Sequence, residues 1–377
     1  MRKLRSLLPV SMKLRSSESF LEQSCHQTTL PLHNRRRCEQ RSRSVSSDSH
    51  PFFGPLSEGM CFAEFELVSA DTCALRSLED ALIAARRANL RCAIGFSPGF
   101  YDRFPVLKRP RGFRALRING DVAFGLYPER RKDILVTLAG DWIATVENAK
   151  ALVADLNSKE FRLVRADFGH HQGTLRDYSG FLDGTSNLQD LSLEQLDICT
   201  RVQATDDNHY RGSSFVLIRK YVEDLEMWND LPDSVQEQFI GRKKNTGTYL
   251  DGNTTWSPRV WDVTPPLSHI RCANPEPCSR FDWKRKLYRR SIKWLEQTAP
   301  GRVDYGLLFV AVMRDPVEQF EKPYNHFIHP STGPRDMLLT SGYVRPLSSG
   351  LYVIPSGSRS GQLLGGEDAR TSQCNQW

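Results

Sequence analysis

The sequence predicts an α+β protein made of two modules, each running β-α-β-β-α-β, the ferredoxin-like order with antiparallel sheets. Two observations carry that prediction. Apolar runs of strand length recur along the chain, and amphipathic helical stretches separate them in the same order twice.

In the first module, residues 61–68 (CFAEFELV) are apolar and β-prone and predict a strand. Asp71 or Thr72 can cap the next segment, where Leu75, Leu78, Leu82 and Ala85 recur at spacings of three and four and share a helix face. Residues 91–97 predict a second strand, and a Pro/Arg-rich loop follows near 105–114. Ile134–Ala139 predicts a third strand. Asp141 can cap a helix over 142–156 with Val146, Ala149, Leu152 and Val153 on one side, and 160–167 predicts the fourth strand.

The order repeats downstream. Ser214–Val222 predicts a strand, 224–240 a helix and Leu287–Trp294 a strand. Gly306–Met313 (GLLFVAVM) is a continuous apolar run, as a buried strand requires. Val317–Phe327 predicts a helix and Leu351–Ile354 the closing strand. The expected division is a leader over 1–50, an N-terminal module over 51–175, a C-terminal module over 176–365 and a tail over 366–377.

Composition narrows the class. The 377 residues are 39% hydrophobic and 25% charged, an ordinary globular balance. The formal net charge is +7, but part of the excess is local, in Arg35, Arg36, Arg37, Arg41 and Arg43. Charge therefore argues against a nucleic-acid partner. No run of about 20 apolar residues is present, so no membrane partner is expected. Nine scattered cysteines without a CxxC pair predict a reduced chain and no zinc site. The expected compartment is the cytosol. The basic, Ser-rich leader leaves mitochondrial import or export as alternatives.

Four segments are candidates for chemistry. Gly180-Phe181-Leu182-Asp183-Gly184-Thr185-Ser186 places an acid between glycines, which suits either a plain Asp-Gly turn or a carboxylate held beside a flat ligand. Ser268–Pro275 places His269 after the stiff Pro265-Pro266 pair; the alternatives are an ordinary polar histidine and a metal-binding imidazole. Leu287–Ser291 puts Arg289 and Arg290 on opposite faces of a strand, so one can point at an anion or cofactor while the other lies on a solvated edge. Gln236–Lys244 reads as a helix ending at Gly241, followed by Arg242.

Taken together these segments resemble the dye-decolorizing peroxidase family. Gly180–Gly184 matches its GxxDG signature, and Ser268–Pro275 is similar to the proximal-histidine segment of the deferrochelatase/peroxidase-like branch. Residues 240–244 resemble that branch's Ile-Gly-Arg-x-Lys motif, 304–316 its core strand and 339–356 its closing strand. The resemblance runs from about residue 52 to about 365. It departs at Glu276, where the branch usually carries a basic residue, and in abbreviated stretches at 51–60 and 97–120.

The resemblance implies one haem b per chain, held mainly in the C-terminal module, with hydrogen peroxide and an organic reductant as reactants. It implies that His269 is the axial iron ligand, with Asp336 behind it. Asp183 becomes the distal acid-base residue and Arg289 the distal arginine. Gly184, Thr185, Ser186, Asn274, Pro275, Glu276 and Ser291 border the haem, and Arg242 meets a propionate. Trp228, Trp261, Trp283, Trp294 and Tyr288 are candidates for passing electrons to bulky dyes. Homo-oligomers are common among relatives. The competing expectations are a haem-binding, iron-releasing protein with little peroxidase turnover and a degenerate interaction module without haem.

Overall fold

The computed structural model describes residues 52–53, 59–70, 72–118, 132–156, 160–170, 176–182, 192–276, 285–328 and 335–356. The first half comprises β1 (Gly59–Leu67), α1 (Thr72–Arg87), β2 (Arg91–Phe96), α2 (Pro98–Arg103), β3 (Ile134–Gly140), α3 (Trp142–Leu156) and β4 (Phe161–His170). After α4 (Leu193–Thr200) the second half begins with β5 (Ser214–Glu223), α5 (Leu225–Asn229), α6 (Asp233–Ile240), α7 (Pro258–Val263) and α8 (His269–Cys272). It continues with β6 (Tyr288–Arg289), β7 (Ile292–Ala299) and β8 (Arg302–Met313). A π-turn (Val317–Glu321), α9 (Lys322–Ile328), α10 (Met337–Thr340) and β9 (Val344–Ile354) complete it.

The strands join one antiparallel sheet in the order β4-β1-β3-β2-β9-β5-β8-β6, with β7 also paired to β8. The same spatial order, fourth-first-third-second, therefore occurs in each half, as the repeated ferredoxin-like pattern predicts. The halves meet where Phe96 of β2 pairs with Val353 of β9. At the far ends, β4 packs against β7. The approach is close: a Cβ on Gly169 would clash with the Ile292 side chain.

Most strands are buried on both faces, which is why they read as apolar runs rather than alternating ones. On one face Cys61, Ala63, Phe65 and Leu67 of β1 pack with Leu78 and Leu82 of α1 and Leu152 of α3. On the other, Phe62, Leu135, Val216, Ile218, Val310 and Tyr352 form a separate cluster. Asp141 caps α3 through the Ala144 amide, as its position suggested.

The structure corrects several boundaries. The helix expected over 224–240 is two helices, because Pro232 cannot continue the first. The strand expected over 287–294 is interrupted between Arg289 and Ile292. The closing strand starts at Val344 rather than Leu351, with Pro346 at an irregularity in its pairing to β5, where a missing amide is tolerated. α4 was not anticipated, although Ser192 and Gln195 form a complete capping box. Asp71 lies outside the described residues.

The second cluster also encloses charge. Glu64 of β1 is fully buried, forms ion pairs with Arg165 (2.9 Å) and Lys132 (3.3 Å), and accepts from the Tyr352 hydroxyl. Arg165 also meets Asp167, which binds Lys220 at 2.9 Å. Burial alone would raise the Glu64 pKa, but Arg165 and Lys132 outweigh it and hold the carboxyl below its ordinary value. Glu64→Gln is expected to cost about 3–5 kcal/mol near neutral pH, because it leaves buried cations uncompensated. The depressed group stabilises the fold above its unfolded pKa, and that contribution is lost as pH falls through the folded value. Urea unfolding of the variant and the wild type should therefore differ most at neutral pH and converge in acid.

Candidate functional site

The cavity-facing side of the second half is built from sheet and helices together. A cavity of about 1130 Å³ is lined by Tyr221 of β5, Arg289 of β6, Leu307 and Phe309 of β8, and residues of α5, α6, α8, α9 and α10. The lining residues lie between Asp177 and Val344. Register explains the sheet wall. Tyr221 pairs with Leu307, and Phe309 is two residues further on the same face, while Leu308 and Val310 point into the opposite cluster.

His269 opens a single helical turn whose start is locally encoded. Ser268 accepts from the Arg271 amide at 3.4 Å, and its hydroxyl donates to the Pro265 carbonyl at 2.8 Å. The turn sits against the end of α6, where Gly241 has φ of 92° and a Cβ would lie 2.9 Å from Ser268 Oγ. Gly241 thus ends α6 in the left-handed region and admits the histidine turn, and the next residue, Arg242, enters the cavity wall.

The His269 Nδ1 lies 2.6 Å from Asp336 Oδ2, and Asp336 is fully buried. Asp336 Oδ1 accepts from the Leu338 and Leu339 amides at 2.9 and 3.2 Å, so the acid also caps α10. An ionised carboxylate only accepts. A neutral imidazole therefore carries its proton on Nδ1 and keeps its lone pair on Nε2. In the same turn, burial and then Asp336 push the Cys272 thiol up to about 12, so it stays protonated.

Arg289 and Arg290 separate as strand alternation requires. Arg289 lines the cavity, whereas Arg290 donates to the Phe52 carbonyl on the other face at 3.0 Å. Arg242 is buried, donates to the Gly247 carbonyl at 2.5 Å and lies 4.1 Å over the Tyr249 ring. Asn274, Pro275 and Glu276 also line the cavity. Asn274 accepts from Lys286 at 3.0 Å, and Lys286 and Arg285 supply cations to this wall, beside the acidic Glu276.

Other expected residues fall elsewhere. Ser291 is not among the lining residues; its hydroxyl accepts from the Val310 amide at 3.3 Å. Asp183, Gly184, Thr185, Ser186 and Trp283 lie outside the described residues. The loop leading to Asp183 is described to Leu182, which lines the cavity. Of the aromatic candidates, Trp228 lines it. Trp261 is covered by Arg271 at 3.1 Å, Trp294 is buried under Lys220 at 4.1 Å, and Tyr288 stacks on Phe53.

Sequence reasoning missed three members of this wall. Gln319, in the π-turn, accepts from the Arg314 and Asp315 amides at 2.8 and 2.7 Å and donates to the carbonyls of Cys199 and Lys286. It thereby ties the segment before Arg289 to the end of β8. A π-turn often marks a functional site, but its sequence looks like ordinary helix. Glu223 and Tyr324 were missed because a polar strand end and a helical aromatic are common features.

The architecture and this cavity are those of an antiparallel α+β protein with a largely apolar small-molecule site, in which one imidazole is oriented by a buried carboxylate. Residues 174–359 match the family model described as "Dyp-type peroxidase, C-terminal". Through residues 174–359 the chain belongs to the dye-decolorizing peroxidase family. It is 26% identical over 237 residues to a dye-decolorizing peroxidase of Mycobacterium tuberculosis, covering 63% of this chain and 61% of that protein. It is 28% identical over 237 residues to one from Thermobifida fusca, covering 59% and 53%. The chain thus spans less than two thirds of the length of these relatives.

Two solved structures share the fold. A DypB variant from Rhodococcus jostii RHA1 in complex with heme has a TM-score of 0.66 at 21% identity, covering 84% of this chain and 98% of that one. DtpA from Streptomyces lividans, as an oxyferrous complex, has a TM-score of 0.68 at 22% identity, covering 82% and 92%. Among the described residues, no helix is long and apolar enough to cross a membrane.

Proposed function

We propose that this protein is a haem-dependent peroxidase that reduces hydrogen peroxide and oxidises organic donors. The observation that carries the reading is the His269–Asp336 pair in the wall of a large cavity that also holds Arg289. The residues present fit haem b, one per chain. Phe309, Phe320, Leu338 and Leu339 offer apolar surface to a flat macrocycle, and Nε2 of His269 is left for iron once Nδ1 is committed to Asp336. Arg242 and Lys286 are placed to meet ligand carboxylates, and Asn274 orients Lys286.

When bound, haem supplies the iron centre at which peroxide is reduced and the oxidising equivalents passed to a donor. The rest is work for this chain. Asp336 holds the His269 ring in one tautomer and raises its basicity. Arg289 brings a permanent positive charge to the cavity wall, where it stabilises negative charge on a departing oxygen. Asp183 accepts the first proton of peroxide and returns it to the leaving oxygen, in an acid-base role worth on the order of 10²–10⁴ in rate. A polar neighbour role for Ser291 requires movement of its hydroxyl away from the Val310 amide.

The cytosol suits the buried free thiols among the described residues, at Cys61, Cys92, Cys199 and Cys272, and a homo-oligomer is part of the same proposal. Absorbance of the purified protein tests the function. Added haem should give a Soret band that shifts when peroxide is supplied, with dye oxidation following. A protein that takes up no haem contradicts the reading. One that binds haem but oxidises no donor is a haem-handling protein instead.

A further inference from the structure

We propose that Glu223 is a positioning residue whose protonation holds the loop Arg176–Leu182 in place, and with it the chain entering Asp183. This rests on the peroxidase reading only for the role of Asp183; the loop itself is a property of the protein without cofactor.

Glu223 ends β5 on the cavity face, two residues beyond Tyr221, and lines the cavity together with Asp177. Its Oε2 is buried and makes no hydrogen bond among the described residues. An ionised carboxylate left in that state is costly, whereas a protonated one is neutral and gains an O–H donor. Burial first, and then the Asp177 carboxylate, push its pKa up to about 7.

Asp177 is the organising residue of the loop. Its Oδ1 accepts from the Phe181 amide at 3.1 Å and from the Ser179 hydroxyl at 2.5 Å, and its own amide donates to the Phe181 carbonyl. Gly180 has φ of 86°, and a Cβ there would meet Lys244 at 2.8 Å, so the loop has one tight path. Outside the loop, Trp228 Nε1 donates to the Ser179 carbonyl at 3.1 Å, and its ring lies 6.3 Å from that of Phe181.

The other groups around Glu223 do not neutralise it. From the loop, Tyr178 has its own pKa raised by burial and by Glu223. From β7, Lys293 donates to the Arg176 carbonyl at 2.9 Å and sits 5.5 Å over the Tyr178 ring. Arg176 donates to the carbonyls of Gly180, Lys244 and Asn245. Lys244 is paired to Asp233 at 2.8 Å. From β8, Tyr305 lies two residues before Leu307 on the same face, with its ring tilted against that of Tyr178 at 5.9 Å. From β9, Val344 pairs with Glu223, while Arg345 pairs with Val222 on the other face. Asp224 and Glu226, at the start of α5, add only negative charge, with Asp224 capping the helix through the Met227 amide. Ionisation of Glu223 therefore sets a second carboxylate against Asp177 inside the fold, and the loop carrying Asp177 is the part that gives.

Trp228 reports on the loop without cofactor. Tryptophan fluorescence of the cofactor-free protein, scanned from pH 5.5 to 8.5, is expected to show a single-proton transition near pH 7. That transition should be absent from Glu223→Gln, which keeps the shape of the acid and cannot ionise. In the Trp228→Phe variant the transition should lose its signal, which assigns it to this indole. A wild-type scan without a transition, or the same transition in Glu223→Gln, overturns the proposal. A second arm uses the haem-loaded protein. If only the protonated form holds the loop, the wild-type peroxide rate should fall about tenfold between pH 6 and pH 8, as one titration near 7 dictates. Glu223→Gln should abolish that fall. Identical pH profiles, alongside a fluorescence transition that is lost in Glu223→Gln, overturn the link to Asp183. Failure of the protein to take up haem would count against the peroxidase reading and leave the fluorescence arm to decide the loop.

Discussion

Replacing His269 by alanine is expected to abolish stable haem loading. The imidazole is the described group of the cavity wall best prepared for iron: its Nδ1 is held 2.6 Å from a buried carboxylate, and its Nε2 is left with a lone pair. That orientation costs little on binding, because Asp336 is itself fixed by two amides of α10 and the histidine turn by Ser268. Alanine removes the donor nitrogen and leaves the Asp336 carboxylate without its ring partner. Haem titrated into wild type and variant, followed by absorbance and by the haem retained after gel filtration, checks the result. A variant with the same Soret band and the same retained haem per chain would rule out His269 as the ligand. The N-cap function of Asp336 is unaffected by the change, so circular dichroism should match the wild type.

Arg289→Leu is expected to slow the reaction with peroxide by about 10²–10³ while haem is retained, the usual effect of removing one preorganised group that stabilises developing charge. Leucine keeps much of the aliphatic bulk and the short β6 pairing to β8, in which Arg289 lies opposite Ala311. The guanidinium is on the cavity face by strand alternation, so no other residue of β6 can replace it; Arg290 is held on the opposite face by the Phe52 carbonyl. Stopped-flow measurement of the haem-loaded variant is the check. Wild-type rates would remove Arg289 from the chemistry, and loss of haem would instead make it a structural contact of the cofactor.

Much of the fold was legible because the signals are local. Gly306–Met313 is apolar throughout, since both of its faces are covered, and Leu78, Leu82, Leu152 and Ala149 mark the buried sides of their helices. Errors arose where one residue overrides a periodic pattern, as Pro232 does between α5 and α6, or where pairing extends an unpromising segment. Val344–Ser349 contains a proline and two serines, and it becomes strand because β5 supplies the partner along its length.

The site divides in the same way. Residue types and spacing marked the segments around His269, Arg289 and Arg242, while a family resemblance assigned their roles and added Asn274 and Asp336. The pairing of His269 with an acid 67 residues away, the exclusion of Ser291 from the described cavity lining and the buried Oε2 of Glu223 beside Asp177 came only from the folded chain. The amino-acid order by itself determined the repeated βαββαβ layout and which groups were available for chemistry, because periodicity and turn residues act over a few positions. Tertiary structure decided which of those groups share one cavity and what charge each carries there. Both depend on distance and burial, which are set by strand pairing between segments far apart in the chain.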